Sequence, residues 1–241
     1  MKLYAYCVIE ELPAGAVDSM PGIDGAQSFL LQSGNLAAVV SASEEERIDV
    51  TREHVLGHER VVRRLLSLTT PLPFRFGTVV NEPELRSYLE SHHSSILSQL
   101  ERVRGCVEMS VKVIWDLEKI KREAAEREDP QDALGERQPA NRSGTAFLAA
   151  KKREIEGAGL LKERGEAVAS WLMDCLDGSM RDAVVNVQPS QPLVLAAAHL
   201  VERGQLERYR AALRSARESR NELHFLTSGP WPPYSFTNIN S

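Results

Sequence analysis

Two histidines four residues apart, His54 and His58, come closest to a metal-site pattern in this chain. On a helix, that spacing sets both imidazoles on one face, where they can reach one ion. A zinc site needs three or four ligands, and neither an HExxH pattern nor a well-spaced third ligand accompanies the pair. It therefore reads as one packed and one half-exposed histidine. His92 and His93 are adjacent, cannot share a helical face, and read as polar helix surface. Gly157-Ala158-Gly159 has the start of a dinucleotide fingerprint. Lys162 stands where the third glycine belongs, and the run sits inside a helical pattern rather than after a strand. The chain contains neither a Walker A sequence nor a G-x-S-x-G elbow. Cys7, Cys106 and Cys175 are too scattered for a disulfide framework or a zinc site. Cys7 and Cys106 fall on strand-like runs and read as small buried hydrophobes. The expectation is no catalytic constellation, no metal and no cofactor.

Two segments stand out for stiffness rather than reactivity. Leu72-Pro-Phe-Arg-Phe-Gly-Thr78 places Arg75 between Phe74 and Phe76, next to a proline. Alternation along an extended chain would send both phenylalanines to one side and Arg75 to the other. Arg75 then reads either as a structural arginine paired with a carboxylate such as Glu108, or as a contact residue. Gly229-Pro-Trp-Pro-Pro-Tyr-Ser-Phe236 is held extended by Pro230, Pro232 and Pro233 and carries Trp231, Tyr234 and Phe236. A segment this stiff loses little entropy on docking. It can clamp onto its own domain, or present an aromatic strip to another protein. The candidate docking or partner-binding residues are Phe74, Arg75, Phe76, Trp231, Pro232, Pro233, Tyr234 and Phe236.

The elements that must position these segments follow from periodicity. Leu3 to Ile9 reads as a buried strand. A loop rich in proline and glycine covers 13–25. Strands at Ser28–Gln32 and Leu36–Ser41 are joined by a hairpin signal, Ser33-Gly34-Asn35. Thr51 or Asp49 caps a helix running to about Leu68, with Val55, His58, Val62, Leu65 and Leu66 on its apolar side. One helix is expected over 82–101, with Leu85, Leu89, Ile96 and Leu100 inward. A strand over Glu108–Trp115 leads into a solvated helix at 116–128 and a polar loop at 129–143. A long helix is expected over 144–177, weakened by Gly157, Gly159 and Gly165. Strands at Ala183–Gln188 and Leu193–Leu200, a helix at Gln205–Ser219, a strand at Glu222–Thr227 and a proline-rich tail complete the chain. From residue 105 the order is βαββαβ, that of a ferredoxin-like domain. The fold expected is α+β in two domains: 1–104, and a modified ferredoxin-like domain with a long helix at 105–228. Residues 229–241 form a tail docking on the body.

Composition bounds the function. The chain has 241 residues, 42% hydrophobic and 26% charged, with a net charge of −5. This is ordinary globular usage for one large or two small domains. The acidic balance argues against a nucleic-acid partner. The 202–220 run holds six arginines and three glutamates, which reads as a solvated helix face with ion pairs. No apolar run reaches the ~18 residues of a membrane span, and the opening MKLYAYCVIEELP reads as strand and loop rather than signal peptide. A cytoplasmic protein with no membrane partner is expected.

Four blocks, in order, carry a resemblance: LPFRFGTV at 72–79, GCVEMSVKV at 105–113, GTAFLAAKK at 144–152 and LTSGPWPPYSF at 226–236. YAYCVI at 4–9 and AAAHLVE at 196–202 agree with it. The chain resembles the gas vesicle protein F/L family, differing mildly at Phe147, where the family usually has tyrosine. The resemblance implies two α+β domains, the C-terminal one modified ferredoxin-like, and no enzymatic activity. It implies an accessory or minor structural role in building gas vesicles. The implied partners are the small hydrophobic shell protein (GvpA-type) and other vesicle accessory proteins. The rival expectation is a small-ligand or enzymatic module on a ferredoxin-like domain, which a deep pocket with perturbed titratable groups would support.

Overall fold

The computed structural model describes residues 1–10, 12, 17, 20–115, 159, 161–188 and 193–239. The helix and loop expected over 116–143, the GTAFLAAKK block and the first part of the long helix lie outside these residues. The chain forms two compact units. One comprises Met1–Met109, Leu200–Gly204 and Gly229–Ser241, the other Ser110–His199 and Gln205–Ser228.

The first unit is built on strand β1, Lys2–Glu10, in which every residue from Leu3 to Ile9 is buried. A run of apolar and aromatic residues without polar alternation suits a strand covered on both faces. β2 (Ser28–Ser33) and β3 (Leu36–Ser43) form the expected hairpin. β3 pairs antiparallel with β1, from Lys2↔Ser43 to Glu10↔Leu36. Two short strands, β4 (Leu72–Pro73) and β5 (Val79–Asn81), pair with β1 on its other side.

Helix α1, Arg52–Leu66, starts at Thr51, whose hydroxyl accepts from the His54 amide at 3.1 Å. Its buried stripe is Gly57, His58, Val61, Val62, Leu65 and Leu66, against Tyr4, Tyr6 and Val39. Val55, expected on that side, is exposed. The stripe begins at Gly57, which packs against Ile23.

The single helix expected over 82–101 is two, α2 (Glu82–Ser91) and α3 (His93–Val103). They meet at His92, whose φ of −105° and ψ of 10° leave the helical region. The run Ser91-His92-His93-Ser94-Ser95 has little helix propensity. The His92 ring stacks on Tyr88, with 4.3 Å between centroids, and its Nδ1 meets the Tyr88 carbonyl at 3.0 Å. Local bonding thus outcompetes a continuous helix. The expected apolar positions Leu85, Leu89, Ile96 and Leu100 are all buried.

The second sheet has four strands in the order β7-β8-β6-β9. They are β6 (Cys106–Ile114), β7 (Asp182–Val187), β8 (Leu193–Glu202) and β9 (His224–Trp231). β9 runs past Thr227 to Trp231, so the aromatic tail begins inside a strand. Two helices belong to the second unit: α4 over 161–176, which runs through the buried Gly165, and α5 (Leu206–Ser219). Trp171 of α4 lies edge-on to Phe225, and the Arg220 guanidinium sits over its ring at 4.4 Å. His199 of β8 is fully buried, 2.7 Å from the Tyr209 hydroxyl on α5.

Arg203 closes the end of α1 within the first unit. Its guanidinium donates to the carbonyls of Leu66 at 2.6 Å and Thr69 at 2.8 Å. Helix C-termini leave such carbonyls open, and a cation complements them. Arg203→Met should therefore lower stability by about 2 kcal/mol, since hydrogen bonds from a charged donor contribute in that range. Arg203→Lys should recover only part of it. Urea unfolding of the three proteins checks this.

Candidate functional site

The two stiff segments both belong to the first unit, and its aromatic cluster holds them. β4 ends at Pro73, and the chain then turns, with the Thr78 amide donating to the Arg75 carbonyl at 3.3 Å. Gly77 occupies the left-handed region at φ +87°, and its amide donates to the Tyr4 hydroxyl at 3.1 Å. This turn ends the alternation expected for 72–78. Phe74 is buried 6.5 Å from the Tyr88 ring of α2, whereas Phe76 lies 6.0 Å from His58 of α1. The two phenylalanines thus serve different clusters. Arg75 is exposed. Glu108, considered as its partner, instead accepts from the Ser235 amide at 2.7 Å and the Ser235 hydroxyl at 2.9 Å.

The tail enters along β9. Gly229 has φ +117°, and a Cβ there would come within 2.8 Å of the Glu108 carbonyl oxygen. Only glycine fits that approach. Trp231 is half-buried beneath the Arg63 guanidinium, 5.1 Å from its ring centre. Pro232, Pro233 and Phe236 are buried. A short 3-10 turn, Tyr234–Phe236, sets the Tyr234 hydroxyl 3.2 Å from His58 Nε2 while the residue as a whole stays 39% exposed.

His58 is the hub of this cluster. Its Nδ1 lies 2.9 Å from the Tyr4 hydroxyl, and its ring stacks on Tyr6 with 5.7 Å between centroids. Burial pushes the imidazole down to about 4, so it is neutral near pH 7. Tyr4 accepts from Gly77, and each ring nitrogen of the neutral imidazole faces a tyrosine hydroxyl, Nδ1 that of Tyr4 and Nε2 that of Tyr234, which can donate to or accept from it. Burial also raises the Tyr4 and Tyr234 phenols, which stay protonated. The same desolvation raises the Glu108 carboxyl, an effect that the Ser235 donors oppose.

His54, the other half of the pair, turns outward, its Nδ1 2.9 Å from the Asp49 carbonyl and its Nε2 3.1 Å from Asp24. Among the described residues, no three of His, Cys, Asp or Glu are grouped to hold a metal. Cys7 is fully buried, and its thiol is raised by desolvation. A shallow groove of about 480 Å³ is lined by Phe74, Arg75, Glu84, Leu85, Tyr88 and Ile239, among others. The Tyr88 hydroxyl there donates to the Ile239 carbonyl at 2.5 Å.

Of the eight candidate residues, Phe76 and Tyr234 meet around His58, while Phe74 and Arg75 line the groove. Trp231, Pro232, Pro233 and Phe236 pack elsewhere along the tail. Sequence reasoning missed His58 as the hub and Tyr88, Glu108 and Ser235 as tail anchors. The one available signal was a histidine centred on an apolar helical stripe.

The gas vesicle synthesis protein GvpL/GvpF family model matches residues 2–238. The chain belongs to that family. Gas vesicle protein L2 of Halobacterium salinarum is 27% identical, over 97% of this chain and 90% of its own. Gas vesicle protein F of a Streptomyces species is 26% identical, over 98% and 99%. Two crystal structures share the fold at 19% identity. Gas vesicle protein GvpF from Anabaena sp. PCC7120 has a TM-score of 0.78, covering 100% of this chain and 97% of its own. The GvpF structure from Microcystis aeruginosa has a TM-score of 0.79, covering 98% of each. For this GvpL/GvpF family member, the two antiparallel sheets and their helices therefore have solved counterparts.

The buried histidines fix a pH dependence. His58 and His199 are each lowered to about 4 in the folded chain, against 6.5 when free. The unfolded chain takes up these protons first, so folding is favoured least at low pH. Stability should hold above pH 6.5 and decline as pH falls toward 4, with His58 alone contributing roughly 3 kcal/mol. His58→Gln should show a shallower decline over that window. Urea midpoints at a series of pH values measure both slopes.

Proposed function

We propose that this chain is an accessory or minor structural component of gas vesicles. On this reading it binds the small hydrophobic shell protein (GvpA-type) and other vesicle proteins during assembly. The observation that carries the reading is the family match across residues 2–238. The relatives' names are those of gas vesicle proteins, which supports a non-enzymatic role. Its place is the cytoplasm, at the vesicle under construction. Among the described residues no helix is long and apolar enough to cross a membrane.

The Pro-aromatic segment supplies a contact surface. Its hydroxyl and backbone anchors hold it rigid, with Tyr234 exposed and Trp231 half-buried. A prepaid conformation reduces the ordering cost of binding. Large amphipathic rings on a fixed backbone suit an apolar partner. The strand order β7-β8-β6-β9, with a helix in each crossover, supports a modified ferredoxin-like reading of 105–228.

Capture of the shell protein by the tagged full chain, co-expressed with it, tests this reading. Tyr234→Phe removes the bond to His58 but keeps the ring. It should cost about 1 kcal/mol of stability and leave capture intact. Trp231→Ala with Tyr234→Ala should reduce capture at least ~10-fold in protein that still folds. Undiminished capture by the folded double variant would remove the tail from the contact surface.

A further inference from the structure

The elements that hold the tail are built without it. Residues 232–239 add no strand to the first sheet, whose five strands are β1 to β5. Helices α1, α2 and α3 all end by Val103. What these elements offer the tail is a row of side chains. His58 of α1 meets the Tyr234 hydroxyl, and Glu108 of β6 accepts from the Ser235 amide and hydroxyl. Gln99 of α3 accepts from the Asn238 amide at 2.6 Å, and Tyr88 of α2 donates to the Ile239 carbonyl. All of these residues belong to the first unit.

Protein surfaces read peptides in this way, with main-chain bonds setting register and side-chain pockets setting selectivity. Here the tail backbone is bonded at Ser235, Asn238 and Ile239. Phe236 and Ile239 supply the inserted apolar side chains, at 4% and 1% exposed. Thr237 between them is extended, with φ −126° and ψ 146°. The segment also keeps part of its own shape. Pro232 and Pro233 restrict it, and the Tyr234 and Phe236 amides donate to the Pro232 carbonyl at 2.8 Å and the Pro233 carbonyl at 3.1 Å.

We infer that this site is a peptide receptor, filled by residues 232–239 of its own chain and able to take the same segment from a second copy, so that two copies exchange tails. The occupant follows from the contacts themselves. Every group that meets the tail within one chain meets the identical segment of another equally well, which is the basis of exchange between identical protomers. Polar anchors of this kind contribute modestly once water competes for them, so they can open. Each bond broken within a chain is remade between chains. The balance is then set by the entropy of joining two molecules, and therefore by concentration.

Sedimentation velocity of complementary full-chain variants tests the exchange. Ser235→Asp sets a carboxylate against Glu108, which frees a chain's own tail and leaves its site intact. Glu108→Lys removes the acceptor from the site and leaves the tail intact. Mixed in equal amounts, the two should form a 1:1 dimer. The native pair then forms at one site, and the introduced carboxylate meets the introduced ammonium at the other. This association should be at least ~10-fold tighter than that of either variant with itself. The double variant, which matches both groups within one chain, should sediment as the wild type does. A mixture that stays monomeric while both variants keep the wild-type circular dichroism would overturn the inference. A fluorescein-labelled peptide of residues 229–239, added to the unaltered chain, decides the matter if either variant unfolds. Its anisotropy should saturate, and the same peptide carrying Ser235→Asp should bind at least ~10-fold more weakly. Absent saturation, or equal binding of the two peptides, would overturn it as well.

Discussion

A buried imidazole is cheap to keep when neutral with both nitrogens matched, and expensive when charged or unmatched. His58 meets the first condition because a tyrosine hydroxyl, able to donate or accept, faces each ring nitrogen, Tyr4 at Nδ1 and Tyr234 at Nε2. Tyr4 belongs to the central strand and Tyr234 to the last few residues of the described chain, 176 positions beyond His58. The ring also packs against Tyr6 and Phe76. The central strand, the first helix, the 74–78 turn and the tail thus converge on one residue. Changing its protonation disturbs all four.

The tail's other anchors have the same character. The Glu108 carboxylate takes both of its donors from Ser235, and Tyr88 bonds the backbone at Ile239. Glu108 is buried and Tyr88 half-buried, and each is satisfied by a residue far away in sequence. Such bonds contribute modestly when made and cost more when one partner is removed. They make the tail a specific part of the first unit rather than an apolar strip held by burial alone. That rigidity is what a contact surface for another protein requires.

Much of the fold was legible in the sequence. The unbroken apolar run of β1, the β2–β3 hairpin signal and the Thr51 cap each rest on local chemistry, and each has its expected place. Leu85, Leu89, Ile96 and Leu100 were legible as inward positions, but the break at His92 was not. Hydrophobic spacing carries across such a joint unchanged, and the ring-on-Tyr88 packing that sets it has no periodic trace. The 72–78 segment misled for a related reason. Alternation holds only while a strand lasts, and β4 ends at Pro73, ahead of the turn that contains Gly77. The site was least legible. His58 fits an ordinary core position, and its importance comes from Tyr4 and Tyr234, whose meeting is a tertiary event. Likewise Glu108 was visible only as a candidate partner of Arg75, and spacing could not identify Ser235.

Hydrogen exchange at single amides reaches the central claim most directly. The Ser235 amide lies on an exposed residue, yet it donates to the Glu108 carboxylate, and the Phe236 amide closes the adjoining turn on the Pro233 carbonyl. If the His58 hub holds the tail, both amides should exchange slowly in the wild type and lose protection together in His58→Leu, while β3 amides stay protected. Exchange at the free-chain rate in the wild type, or protection unaltered in His58→Leu, would contradict it.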